Sequence, residues 1–256
     1  LPESDLQLIH DAALCAGEIA MSFYGKQPKQ WDKGDGQGPV CEADLSIDKM
    51  LLERFSQARP DYGILSEEAD DDLARCDCDV VFIIDPIDGT RSFLNRHENF
   101  ATSIAIARKG IVTEAVVHLP AKDLTFSARL GAGAWLNGEK INASQRDEIK
   151  GARMLASGSQ TRGDLWRDGP PPIERHFRSS LAYRLCLVAQ GHFDGMMTLR
   201  PTWEWDVAAG DLICTEAGAK VKTQDRESPI YNTPSAKMNG MIAANDTLMD
   251  QFFEYL

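Results

Sequence analysis

Apolar positions set the first division of the chain. Leu6, Ile9, Ala13, Ala16, Ala20 and Phe23 recur at helical spacing and predict a helix over residues 3–24. Gly25 and Pro28 end it. Residues 26–43, rich in Gly, Lys and Asp, read as a loop. Leu45, Ile47, Met50, Leu51 and Phe55 give a second helix its buried side over 44–58, and Pro60 stops it. A short strand over 62–65 leads into Ser66-Glu67-Glu68 and then an acidic loop, Asp70 to Asp72. Val80 to Ile84 is a continuous apolar run, the pattern of a strand buried on both faces. It is expected to end abruptly at Asp85-Pro86-Ile87-Asp88-Gly89-Thr90.

The rest alternates in type. Residues 101–108, 111–119 and 124–129 read as a strand meander. Gly131-Ala132-Gly133 lacks the following helix and third glycine of a dinucleotide turn, so it is a hairpin-like bend. A strand over 153–157 precedes a Gly/Pro-rich loop over 161–172, a helix over 180–190 and a strand over 193–199. Trp203-Glu204-Trp205-Asp206 opens an Ala-rich helix that runs to about Ala217 and closes at Gly218. A strand, Met241 to Ala244, and a helix, Thr247 to Tyr255, complete the chain. No repeat and no linker is visible. The expected class is mixed α and β in packed layers, one compact unit of two halves, 1–145 and 146–256.

The length, 256 residues, is enough for a substantial core. The formal net charge of −12 argues against a nucleic acid polymer as partner, which needs a basic face. It also means that a phosphorylated ligand would need local cations, from metal ions or from placed Lys and Arg. Six dispersed cysteines form no disulfide framework, and the lone Cys76-x-Cys78 has no second pair at zinc spacing. They are read as reduced thiols of a cytoplasmic protein. No stretch of 18 apolar residues marks a membrane span, and no signal peptide is visible. The start at Leu1 is expected to reflect upstream residues trimmed or outside this sequence.

Two carboxylates, Asp85 and Asp88, leave the apolar strand together on a chain bent by Pro86 and Gly89. Without a cation between them they would repel and raise each other's pKa. Oxygen ligands so arranged suit Mg²⁺. Gly89 lets an anion approach the backbone N–H groups of Gly89 and Thr90, and the Thr90 hydroxyl can cap a helix or orient a water. An isolated Asp-x-x-Asp-Gly is most often only a turn. An EF-hand fails for want of its alternating ligands and closing Glu. Asp206 alone would be explained as an acid at a helix start. Acids at several separate strand and helix ends are harder to explain as turns.

These segments resemble the inositol monophosphatase superfamily. Phe82-Ile-Ile-Asp-Pro-Ile-Asp-Gly-Thr-Arg-Ser-Phe93 and Trp205-Asp-Val-Ala-Ala-Gly210 are similar to its two long fingerprints. Glu42-Ala-Asp44 and Ser66-Glu-Glu68 match its short ones in the right order, so the likeness covers roughly residues 5–250. The resemblance implies an α/β/α/β/α sandwich, a homodimer, lithium sensitivity and Mg²⁺-dependent hydrolysis of a small phosphorylated metabolite. It implies two to three Mg²⁺ ions: Glu67, Asp85 and the Ile87 carbonyl around one, and Asp85, Asp88 and Asp206 around another. By the same resemblance a third, weaker ion would lie near Glu67. Asp44 and Thr90 would act on the attacking water, Glu67 would serve catalysis as well as the metal, and Lys33 would shield substrate charge.

Departures from the pattern bear on substrate. Cys41 stands where the family often has Thr, and little effect is expected. Arg178-Ser179-Ser180-Leu181 replaces a Gly-Ser segment, and Leu199 replaces a Glu that binds an inositol hydroxyl in the animal enzymes. Arg200-Pro201-Thr202 looks more like the bacterial 3′(2′),5′-bisphosphate nucleotidases. For that reading Arg178, Arg184 and Arg200 are candidates to hold a second phosphate, Ser180 to touch substrate, and Trp203 to stack on adenine. Histidinol phosphate is a third candidate substrate. A metal-binding regulatory protein without catalysis is the alternative of another class, disfavoured because Asp44, Thr90 and the ligands are all present.

Overall fold

The computed structural model describes residues 3–34 and 38–256. The elements run α1 (Asp5–Phe23), β1 (Gln30–Asp32), β2 (Pro39–Cys41), α2 (Glu42–Ala58), β3 (Gly63–Ser66), β4 (Val80–Asp88), α3 (Thr90–Leu94), β5 (Ala101–Arg108), β6 (Ile111–Leu119) and β7 (Leu124–Arg129). They continue as β8 (Gly133–Leu136), β9 (Glu139–Ile141), β10 (Arg153–Leu155), β11 (Glu174–His176), α4 (Leu181–Ala189) and β12 (Gly195–Thr198). The last are β13 (Thr202–Trp203), α5 (Glu204–Glu216), β14 (Lys220–Lys222), β15 (Lys237–Met238), β16 (Met241–Ala244) and α6 (Asp246–Tyr255).

Five layers result. A seven-stranded sheet, β3-β4-β5-β6-β7-β8-β9, is parallel only at β3–β4. A five-stranded sheet runs β11-β10-β12-β16-β14. Alternation along β4 distributes its side chains to two cores. Phe82 and Ile84 pack with Leu8, Ile9, Ile47 and Phe55 of α1 and α2. Val81 and Ile83 face α4 and α5, which also receive Met196 and Ala243 of the smaller sheet. Met197 and Ile242 point the other way, onto Leu248 and Phe252 of α6. The order helix, sheet, helix, sheet, helix is the layered α/β sandwich anticipated from sequence.

Several local expectations change. The 26–43 loop contains a small antiparallel ribbon, β1–β2, and α2 starts at Glu42 rather than 44. The apolar run does not stop at Ile84. β4 continues to Asp88 because β5 keeps pairing with it across a bulge, Asp85 opposite Ser103 and Asp88 opposite Ala101. Three steps on β4 thus match two on β5. Pro86 has no N–H to give to the ladder, and its carbonyl accepts the Thr102 hydroxyl at 2.9 Å. In an unbroken strand Asp85 and Asp88 would face opposite sides; the extra residue lets both reach one place.

α4 and α5 fill the central layer and touch closely at Gly210, where an added Cβ would lie 2.6 Å from Leu185 Cβ. Gly210→Ala gains about 1 kcal/mol of helix propensity. It loses more, about 1–3 kcal/mol, by overpacking against an atom that cannot rotate away. A lower urea midpoint is the expected net result, and an unchanged or higher midpoint would show that the contact yields.

Candidate metal centre

The bulge of β4, the end of β3 and the first turn of α5 meet at one point. Carboxylate oxygens of Asp85, Asp88 and Asp206 lie within 4.8 Å of one another. Asp85 is 1% exposed, and its Oδ1 has no hydrogen-bond partner. Burial first, then the charges of Glu67, Asp88 and Asp206, push its carboxyl well above the usual range. Burial, then Asp88 and Glu67, raise Asp206 in the same way. An orphaned buried oxygen in a ring of like charges is costly unless a cation occupies the gap. All donors are hard oxygens, which suits Mg²⁺ and not a thiophilic metal.

Asp88 is held from behind. Its Oδ2 accepts the Ser180 hydroxyl at 2.5 Å and the Ala182 N–H at 2.7 Å. Burial raises its pKa to about 6 against the pull of these donors. Ser180 also accepts the Tyr183 N–H at 3.0 Å, so it caps α4 while fixing Asp88. It is fully buried. The expected substrate contact at Ser180 is therefore corrected: it holds the Asp88 carboxylate and is not among the residues lining the cleft.

Asp44 stands one layer away. Its Oδ1 accepts the Thr90 hydroxyl at 3.1 Å, a hydroxyl that also lies 3.1 Å from the Ile87 carbonyl. Its Oδ2 accepts the Cys41 N–H at 2.9 Å and the Cys41 thiol at 2.8 Å. Burial raises Asp44 to about 6, and burial with Asp44 raises Cys41 to about 12. Cys41 thus caps α2 and touches the water-relay candidate, a contact that counting motif positions did not reveal. Gly89 stands at φ 99°, a left-handed conformation, with Asn99 O only 3.1 Å from where a Cβ would be.

Lys33 binds Glu67 at 2.8 Å and Glu68 at 2.7 Å. Burial alone lowers its pKa, but the two carboxylates outweigh this and raise it. Glu68, buried beside Glu67, is raised to about 7. The loop lysine is therefore placed on the acidic cluster itself.

A cleft of 500 Å³ opens from this cluster, lined by Gly89, Thr90, Arg91, Phe177, Arg184, Arg200 and Trp203 among others. Arg184 is 6% exposed, and its ring of contacts is partial: Nε donates to the Arg178 carbonyl at 2.5 Å and the guanidinium lies 4.7 Å from the Phe177 ring centre. Burial lowers it to about 10, which leaves it charged at neutral pH. Arg200 lines the cleft from an exposed position. Arg178 does not line it; its guanidinium lies over Phe193 at 5.7 Å. Trp203 is also corrected as a stacking platform. Trp205 covers one side at 4.6 Å and Lys237 Nζ lies 3.9 Å from the ring centre. Phe177, 49% exposed, is the aromatic edge left for a ligand, and neither it nor Arg91 was singled out from sequence.

The raised carboxyls fix the sign of a pH effect. In the metal-free protein, Asp44 and Asp88 hold protons up to about pH 6, whereas the unfolded chain releases them near its ordinary carboxylate range. The folded state binds more protons in that window, so their destabilising effect is absent below it and complete above it. The melting temperature in EDTA is expected to rise as pH falls from 7.5 to 5.5, with saturating Mg²⁺ weakening the trend. A melting temperature in EDTA that falls over the same range would contradict this reading.

Among the described residues no helix is long and apolar enough to cross a membrane, and all six cysteines are free. The model of the inositol monophosphatase family matches residues 2–255. Inositol-1-monophosphatase of Rhizobium meliloti is 34% identical over 224 residues, 83% of this chain and 83% of its own. Nus factor SuhB of Escherichia coli is 34% identical over 193 residues, 71% of this chain and 70% of its own. The crystal structure of CysQ from Bacteroides thetaiotaomicron, a bacterial member of the same family, superposes with a TM-score of 0.78 at 26% identity, covering 94% of this chain and 97% of that one.

Proposed function

The chain belongs to the inositol monophosphatase family, and on that premise we propose that it hydrolyses a small phosphate monoester with two to three Mg²⁺ ions. Glu67, Asp85, the Ile87 carbonyl, Asp88 and Asp206 would hold them. The observation that carries the reading is the unpartnered, buried Asp85 oxygen clustered with Asp88 and Asp206, with Glu67 close enough to raise its pKa. Bound Mg²⁺ supplies neutralisation of these acids and Lewis-acid polarisation of phosphate and water.

The remaining steps belong to the protein. Thr90 Oγ1 faces the cleft and orients the attacking water, and the proton passes through that hydroxyl to Asp44 Oδ1, which is buried behind it. Burial, the largest cause of the upward shift of Asp44, does not depend on the ions and makes it a stronger base than an ordinary Asp. The Gly89 and Thr90 N–H groups receive phosphate oxygens where no side chain intervenes. Lys33 screens substrate charge from beside Glu67. Water attacks phosphorus directly, and no covalent phosphoenzyme is needed.

Arg184 and Arg200 in the same cleft favour a second reading, a 3′(2′),5′-bisphosphate nucleotide whose uncleaved phosphate they pair with. Buried Leu199 gives no hydroxyl contact of the kind a Glu would give inositol. The net charge of −12 supports a small metabolite over a nucleic acid polymer.

Phosphate release from inositol 1-phosphate, adenosine 3′,5′-bisphosphate and histidinol phosphate, each with Mg²⁺, with EDTA, and with Mg²⁺ plus Li⁺, tests these readings. Mg²⁺-dependent release supports the site, and the best substrate selects the branch. Mg²⁺ binding with no release from any would turn the assignment toward a binding role. No effect of Mg²⁺ on release or stability would refute it.

A further inference from the structure

Glu204 takes no part in the chemistry above, yet its carboxylate is 0% exposed at the first position of α5, two residues before Asp206. It is fully engaged. Oε2 accepts the Asn232 N–H at 2.6 Å, and Oε1 accepts the Thr233 N–H at 2.9 Å and the Thr233 hydroxyl at 2.6 Å. The Glu204 N–H donates to the Ala236 carbonyl at 2.9 Å, and β13 pairs with β15 immediately beyond. Residues 232–237 therefore wrap the start of α5 and hold it by a carboxylate that water does not reach.

The wrap does not end there. The Asn232 side chain accepts Arg75 Nη1 at 2.7 Å and donates to the Arg75 carbonyl at 3.0 Å; the Thr233 carbonyl accepts Arg75 Nη2 at 3.1 Å. Arg75, 3% exposed, forks onto Asp71 with contacts of 3.0 and 2.7 Å. Asp71 lies in the loop that leaves β3 through Glu67 and Glu68. Asn232 adopts φ 62°, a left-handed conformation kept by bonds on both its backbone and its side chain.

We propose that Glu204 is a positioning residue, the centre of a polar brace, buried at Glu204 and Arg75 and exposed at Asp71, that fixes Asp206 relative to the Glu67 loop. The path is Glu67 loop, Asp71, Arg75, Asn232–Thr233, Glu204, Asp206. The two ligands at its ends come from distant parts of the chain, and the brace supplies a rigid connection between them that does not pass through the cation. Loss of a group hydrogen-bonded directly to a metal ligand typically costs 10- to 100-fold in affinity; Glu204 acts one step further back, through the backbone of α5, so the low end of that range applies. The proposal rests on the metal reading of the preceding subsection.

Calorimetric titration of Mg²⁺ at 25 °C into wild type, Glu204→Gln and Thr233→Val separates the possibilities, with circular dichroism confirming that each is folded. Glu204→Gln presents an amide where donors converge, and a rise in the Mg²⁺ Kd of about tenfold is expected. Thr233→Val removes one donor and should shift the Kd in the same direction by less. A lower melting temperature with an unchanged Kd in both variants means that Glu204 is merely structural and overturns the proposal. If Glu204→Gln does not fold, Thr233→Val decides alone. Wild type that takes up no Mg²⁺ refutes the metal reading itself, whereas tight wild-type binding with unaltered variants refutes only the brace.

Discussion

Asp85→Asn is expected to abolish Mg²⁺-dependent phosphate release while raising the melting temperature of the metal-free protein. Both effects follow from one carboxylate. Asp85 is completely surrounded, and three further acids raise its pKa by repulsion. Replacing it with an isosteric amide removes a charge from that ring and offers N–H donors to the neighbouring carboxylates. The cost of a buried unpaired charge is on the order of 1–3 kcal/mol or more, so its removal stabilises the apo state. For a chain of this size each kcal/mol raises the melting temperature by about 2–4 °C. With Mg²⁺ present the order inverts. Wild type gains about 2.7 kcal/mol at a hundredfold excess over Kd, and the variant loses that gain. A metal's several kcal/mol of transition-state stabilisation corresponds to a rate loss of roughly 100- to 1,000-fold or more. Thermal shift and phosphate release on the same samples read both signs. A variant that is less stable in EDTA would show that the repulsion is absent and the acids are there for the fold.

The second large effect is on turnover alone. Asp44→Asn keeps the shape of the α2 cap and an acceptor for the Cys41 N–H, but it cannot take a proton. A fall in kcat of about 100- to 10,000-fold is expected, with the Mg²⁺ Kd changed little because Asp44 is outside the ligand set. Full turnover in Asp44→Asn would remove it from the chemistry. A loss of Mg²⁺ binding instead would make it a ligand.

Much of the candidate site could be read from the chain because acids at several separate strand and helix ends exceed what turns and helix starts call for one at a time. Asp85, Asp88, Asp206, Glu67, Asp44 and Thr90 all follow from that reasoning joined to the family resemblance, and the structure brings them together. The layers were legible too, since the β4 run and the periodicities of α1 and α2 report burial directly. Contacts across the sandwich were not. Nothing local to Ser180 says that its hydroxyl reaches Asp88, ninety-two positions earlier. Trp203 looked free to stack because sequence does not show Lys237 arriving on it from β15. The short strands β1, β2, β11 and β14 carry too few residues for a period to register. The extension of β4 past Ile84 depends on a bulge, which is a property of the pair of strands and not of one.

The bulge brings Asp85 and Asp88 together, but Asp206 reaches them only after α5 has docked between the two sheets. Strands β4 to β7 join neighbours in the chain and can zip early, whereas Asp85 and Asp206 are separated by more than a hundred positions. Their meeting is therefore expected late in folding. A cation held between them stabilises the native state without stabilising the transition state that precedes it. It should act as a brake on unfolding and leave the refolding rate nearly untouched. On the metal reading, the lifetime of the fold lengthens with the free Mg²⁺ around it, and unfolding is expected to be slower in Mg²⁺ than in EDTA.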